Sequence, residues 1–182
     1  EYQGHGWGCS YLDEIGSWRT YKNIMPIWKD NLRKFKDTRL ILAHARSAFQ
    51  DKGIAVENNM PFEDGMFSFI FNGELRGVKI KEKGRIGAEK IFNYIKRNFD
   101  RNMFEAIISS VKSIKANTSY IRAMNFIIAD AERVYIHSMY NENHEYFTLK
   151  IKKADGLAIV CSESYPEESW SEIENESLMV LT

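Results

Sequence analysis

The segment 39–73 constrains what this chain can fold into more than any other. It reads RLILAHARSAF, a polar linker, ENNMPFEDG and then MFSFIFNG. Residues 40–45 are short, apolar and strand-like, and the period of two puts His44 and Arg46 on one side. Residues 50–65 hold a DKG, an ENN, a proline and an EDG, the composition of turn and loop. Residues 66–71 read as a second strand, with Phe67, Phe69 and Phe71 facing one way and Met66, Ser68, Ile70 and Asn72 the other. Both faces are largely apolar, so the sheet is expected to be covered on both sides. Asn72-Gly73 follows, with 74–80 as a candidate return strand.

The two strand tips carry whatever chemistry this segment has. An Asn side-chain amide and the following Gly N–H can point at one spot and stabilise a developing oxyanion. Asn-Gly between apolar strands is equally the strongest short-range signal for a plain hairpin. Arg46 can pair bidentately with a carboxylate, or it can reach solvent or a local acid such as Glu57. His44 reads as a base or as a satisfied core residue, with the core reading favoured because no Ser or Cys lies close in sequence. Cys9, beside His5, reads as a nucleophile or as an inert buried thiol, with the second favoured because it lies in a strand-like run. Trp7, Trp18, Trp28 and Trp170 read as packing residues, and KIKEKGR at 79–85 as a solvated turn.

Around this segment the chain opens with EYQGHGWG, a glycine-rich start that leads into a strand over 7–12. Apolar residues Ile24, Ile27, Trp28, Leu32 and Phe35 repeat at helical spacing, with Pro26 near the start. Helices are predicted over 86–99, where Ile91, Ile95 and Phe99 share a stripe, and over 104–114. The period then changes, and strands are predicted over 123–129, 133–138, 146–151, 157–161 and 178–181, with turns at 130–132 and 141–143. A helical pair flanked by strands on both sides argues for an α+β fold with helices covering sheet faces. With no repeat and no linker, 1–182 reads as one domain, apparently lacking its N-terminal segment.

Bulk properties remove several functions. The 25 lysines and arginines balance 25 aspartates and glutamates, so no global field favours nucleic acid or an anionic membrane. No apolar run reaches spanning length. The four histidines and two cysteines have no metal-ligand spacing, so no metal is expected. A reduced, cytoplasmic protein is the simplest reading of two distant cysteines, with a single disulfide as the other.

The segments HGWG, LAHARSAF, ENNMPF, FSFIFNGEL and GAEKIF, taken in that order, resemble the class II glutamine amidotransferases. The closing IVCSESYPEESWSEIENESLMVL resembles the last segment of the single-domain branch, which includes γ-glutamyl amide hydrolases. The resemblance implies an N-terminal-nucleophile (Ntn) hydrolase fold, a four-layer αββα sandwich with antiparallel sheets. It implies that Arg46 binds a substrate α-carboxylate and that Asn72 and Gly73 form an oxyanion hole. It implies cleavage of the side-chain amide of glutamine or of another γ-glutamyl amide, with no cofactor and with a separate ammonia-consuming subunit as a possible partner. The implied nucleophile is a cysteine at the mature N-terminus, which this sequence does not contain; Cys9 matches a strand position after HGWG instead. Met60, Phe49, Gly87 and His5 stand where the family usually has histidine, threonine, aspartate and aspartate, whereas Glu89 is retained. These departures point away from ordinary glutamine binding. They favour the alternative, a non-catalytic ligand-binding or regulatory relative on the same fold. A third reading, an α+β interaction domain, takes Asn72-Gly73 only as a hairpin.

Overall fold

A long antiparallel strand pair forms the centre of the molecule. The computed structural model describes residues 3–48 and 52–182; Phe49 lies outside them. Strands β1 (Trp7–Leu12), β2 (Trp18–Asn23) and β3 (Ile41–Ala45) form a three-stranded antiparallel sheet with β1 in the middle. Strands β4 (Phe62–Glu63), β5 (Ser68–Val78), β6 (Thr118–Ala129), β7 (Val134–Ser138) and β11 (Ser177–Leu181) form the large sheet, in the order β11-β7-β6-β5-β4. Strands β8 (Lys150–Ala154), β9 (Leu157–Cys161) and β10 (Ser171–Glu172) form a third antiparallel sheet. Helices α1 (Gly87–Arg97) and α2 (Met103–Ala116) connect β5 to β6, and α3 (His144–Phe147) is a single turn.

The period-two pattern of 66–72 sets the layering. Phe67, Phe69 and Phe71 pack with Ile91, Phe92 and Ile95 of α1 and Ile107 and Ile114 of α2, so both long helices cover one face of the large sheet. Phe69 is fully buried and stacks on Phe92 with ring centroids 5.1 Å apart. Ile70 and Ile127 emerge on the opposite face. There they meet Leu12, Trp18 and Leu42 of the first sheet, and Ile127 also meets Leu149 and Ile151 next to the third. The sheet is thus covered on both sides, as the sequence predicts, and the architecture is α+β. Among the described residues no helix is long and apolar enough to cross a membrane.

Four local expectations differ from the structure. The helical spacing over 24–35 yields two 3-10 turns, Ile27–Lys29 and Leu32–Lys34. Asp30 between them accepts from Trp7 Nε1, Tyr21 OH and Asn23 Nδ2 and pairs with Lys34, which ties the segment across the outer face of β1 and β2. Phe35 packs against Trp7, Tyr11 and Tyr21, whereas Trp28 and Leu32 stay about half exposed (50% and 48%). In place of a strand over 146–151 the chain makes α3 and then β8. Strands β2, β4 and β10 lack the alternating apolar signal, being polar or only two residues long. Fourth, no turn forms at Asn72-Gly73: β5 runs through both residues to Val78 and stays paired with β6, so the return strand over 74–80 does not exist.

Candidate active site

Gly73 makes that continuity possible. A Cβ at Gly73 would lie 2.1 Å from the Ala123 carbonyl oxygen, far inside contact distance. The register with β6 then shifts between Glu74 and Leu75, a bulge of the kind found where strands bend next to sites. Gly73→Ala is expected to destabilise the fold by about 1–3 kcal/mol, since backbone must move to admit the methyl; urea melts of the two proteins measure it.

Alternation along β5 assigns the neighbouring backbone donors. Met124 N–H donates to Met139 and its carbonyl meets His137, so Met124 faces β7 and its register partner Gly73 turns away from β6. The Phe71 N–H points to the same edge and donates to Met60 Sδ at 3.2 Å. Gly73 N–H therefore faces the edge of the sheet just beyond the end of β4.

The Asn72 side chain lies on the opposite face from Phe71, towards the first sheet. It pairs in register with Asn125, and the two asparagines differ sharply. Asn125 is buried and saturated: its Nδ2 donates to Phe147 O at 2.6 Å and its Oδ1 accepts from Met139 N at 2.8 Å. Asn72 is part-exposed, and its amide bonds to none of the described residues. An amide left open beside a saturated twin is what a ligand-facing donor requires.

Arg46 follows β3, which packs against β5. It is 6% exposed, yet no carboxylate pairs with it among the described residues; the suggested partner Glu57 is not used. Its Nη1 donates to Gly53 O at 2.9 Å, and Asn58 Nδ2 donates to the same oxygen. Gly53 has φ +63°, which places that carbonyl against the guanidinium. Burial alone pushes the guanidinium below its ordinary value. A buried cation with one neutral partner is the electrostatic complement of an anionic ligand. The ladder continues past the strand end: His5 N–H donates to Arg46 O, Arg46 N–H donates to Gly6 O, and Ala48 N–H donates to His5 Nδ1. The segment HGWG is thus fixed beside the arginine.

His44 links the two strands. Its ring meets the Phe71 backbone, one residue before Asn72, and its Nδ1 is buried without a partner among the described residues. Burial, and then the Arg46 charge, lower it from 6.5 to about 4, so it is neutral near pH 7 and holds the strands together without adding positive charge. His137 is likewise pushed down to about 4 by burial. Between pH 6.5 and 4 the unfolded chain binds more protons at these positions than the folded one, so stability falls as pH falls through that window. His44→Gln and His137→Gln should each reduce the drop in melting temperature between pH 6.5 and 4 relative to the unsubstituted protein.

The other sequence candidates fall away from this place. Cys9 is buried in β1, and burial raises its thiol to about 11, far from a reactive thiolate. Cys161 lies in β9, and both cysteines are free, so the disulfide is not made. Gly87 is the exposed first residue of α1, with open space where a side chain would stand. Glu89 accepts from Nε and Nη2 of the Arg85 guanidinium and from the Arg85 backbone N–H. Together with Lys22 and Glu63 they line a small polar pocket of about 210 Å³, in which burial first, and Arg85 second, lower Lys22 to about 8. No group of three His, Cys, Asp or Glu residues suited to a metal ion occurs among the described residues. Sequence reasoning missed the Gly53 carbonyl and Met60 Sδ as supports of the site; the DKG signal predicted a turn there but not what the turn's carbonyl would hold.

No known family profile matches the chain. The chain is 25% identical over 187 residues to the γ-glutamyl-hercynylcysteine sulfoxide hydrolase of Mycolicibacterium smegmatis, covering 96% of this chain and 76% of that protein. Its structure is similar to that of a glutamine aminotransferase class-II domain protein from Silicibacter pomeroyi, with a TM-score of 0.74, 16% identity, and 96% of this chain and 86% of the other covered. It is also similar to a predicted glutamine amidotransferase from Pseudomonas aeruginosa, with a TM-score of 0.63, 15% identity, and 97% and 84% covered. The glutamine phosphoribosylpyrophosphate amidotransferase of B. subtilis matches with a TM-score of 0.73 at 16% identity, over 98% of this chain and 41% of that enzyme. The fold is that of class II glutamine amidotransferase-like proteins.

Proposed function

We propose that this protein is an amidohydrolase that cleaves the side-chain amide of glutamine or of a γ-glutamyl amide, with Arg46, Asn72 and Gly73 forming its site. The observation that carries this reading is the buried Arg46, without a carboxylate partner among the described residues, just past a strand packed against the one that bears the open Asn72 amide. The similarity to a γ-glutamyl hydrolase supports the substrate class. Arg46 holds the α-carboxylate. A cysteine thiolate at the terminus of the mature native chain, ahead of Glu1, attacks the amide carbon, and its own α-amine takes up the thiol proton. The Asn72 amide and Gly73 N–H receive the oxygen as it becomes negative. Collapse expels ammonia or an amine, which takes that proton, and water then cleaves the γ-glutamyl thioester to restore the thiol. Such a thiol suits the reducing cytoplasm. Where ammonia is used rather than released, a separate ammonia-consuming subunit takes it.

The test is the protein expressed from its full native reading frame, with intact mass, N-terminal sequence, and release of ammonia or amine from glutamine and γ-glutamyl amides. Turnover by a chain beginning with cysteine is the expected result. A raised melting temperature with γ-glutamyl ligands but no turnover identifies a binding relative instead. Neither effect overturns both.

A further inference from the structure

A groove on the helix-covered side of the large sheet, remote from Asn72, has the makings of a second site. Helix α2 leaves the β7–β11 edge uncovered, and a groove of about 600 Å³ opens there, a volume in the range of small-molecule sites. Its walls are apolar, from Ile107 and Val111 of α2 to Leu178 of β11.

Inside a rim that carries Lys112, Lys115, Glu176 and Ser177, a buried histidine lines it. His137 is 6% exposed and stacks on Phe126 with centroids 4.7 Å apart. Its Nδ1 lies 2.9 Å from Met124 O. A carbonyl can only accept, so in the neutral ring Nδ1 carries the hydrogen and Nε2 is a bare acceptor. Nε2 has no partner among the described residues, and it is not sealed from solvent. A buried ring fixed in one tautomer, with its free acceptor in an apolar groove, asks for a donor from a ligand. The rim adds a charge preference. Lys115 is neutralised by Glu176 at 2.8 Å, whereas Lys112 has no carboxylate partner among the described residues.

We propose that this groove binds a small, mainly apolar organic acid carrying one hydroxyl or N–H donor, with the donor on His137 Nε2 and the carboxylate at Lys112. This does not depend on the amidohydrolase reading, because the groove lies on the other face of the sheet.

The probe is 3-(4-hydroxyphenyl)propanoate, with 3-phenylpropanoate as the analogue lacking the donor, titrated into the isotopically labelled full native chain and followed by amide chemical shifts. Saturable shifts at Val111, Ser177 and Leu178 are expected, with the hydroxylated acid bound about 3- to 10-fold tighter, the worth of one hydrogen bond. His137→Phe keeps the stacking ring and should erase that difference. Lys112→Ala should weaken both acids by a few-fold at most, as for an exposed ion pair. Val111→Trp fills the groove from the helix side and should abolish binding even if His137→Phe fails to fold. Unsaturable shifts at about 10 mM probe, ten times a ~1 mM dissociation constant, would overturn the proposal. So would equal affinity for the two acids, or shifts that follow protein concentration alone and mark contact between copies.

Discussion

Replacing Arg46 with alanine is expected to weaken kcat/KM on a γ-glutamyl amide by on the order of 10²–10³-fold, chiefly through KM, while the melting temperature moves little. Truncating one partner of a buried, hydrogen-bonded charge pair costs about 2–5 kcal/mol, much of it from stranding the other charge. In the free protein that bill is small. Among the described residues the Arg46 guanidinium has only the Gly53 carbonyl as a partner, so alanine removes that hydrogen bond and some stem packing while relieving the burial of a cation. Steady-state kinetics and a thermal melt on the same preparation separate the two roles. A large loss of stability with KM unchanged would make Arg46 a structural residue and end its assignment to the substrate.

Asn72→Ala should act on the other kinetic constant. Its amide meets the carbonyl oxygen most strongly when that oxygen is negative, so kcat is expected to fall about 10²–10³-fold with KM nearly constant. Stability should be almost unchanged, because no bond within the described residues is broken. Asn125→Ala is the internal control. It strands the Phe147 carbonyl and the Met139 N–H in a buried site, so it should lower stability at least as much as it lowers activity. Equal kinetic losses from the two substitutions would mean that Asn72 serves the sheet rather than the reaction.

Much of this arrangement was legible in the residues, and what was not has a physical reason. The alternation of Phe67, Phe69 and Phe71 with Ile70 foretold a strand buried on both faces, and the 3.6-residue stripes foretold α1 and α2, because burial enforces both periods. The apolar spacing over 24–35 misled because three side chains from β1 and β2 converge on Asp30, a tertiary tie that outweighs local periodicity. Asn72-Gly73 misled in the opposite direction. Its local preference is a hairpin, but the turn would forfeit the ladder with β6, and only the partner strand, fifty residues away at Asn125 and Met124, decides between them. The state of Arg46 was not legible either, since only the fold reveals that among the described residues it pairs with the Gly53 carbonyl and with no acid.

The pairing of His5 and Gly6 with Arg46 has a practical consequence for handling the protein. Whatever precedes His5 leaves the ladder beside the arginine, so a purification tag at the amino end would be tethered next to Arg46. Its acidic or histidine-rich residues would compete there at high effective concentration, and the preparation could look inert for that reason alone. A tag following β11 emerges at the far edge of the large sheet from β4, away from Arg46.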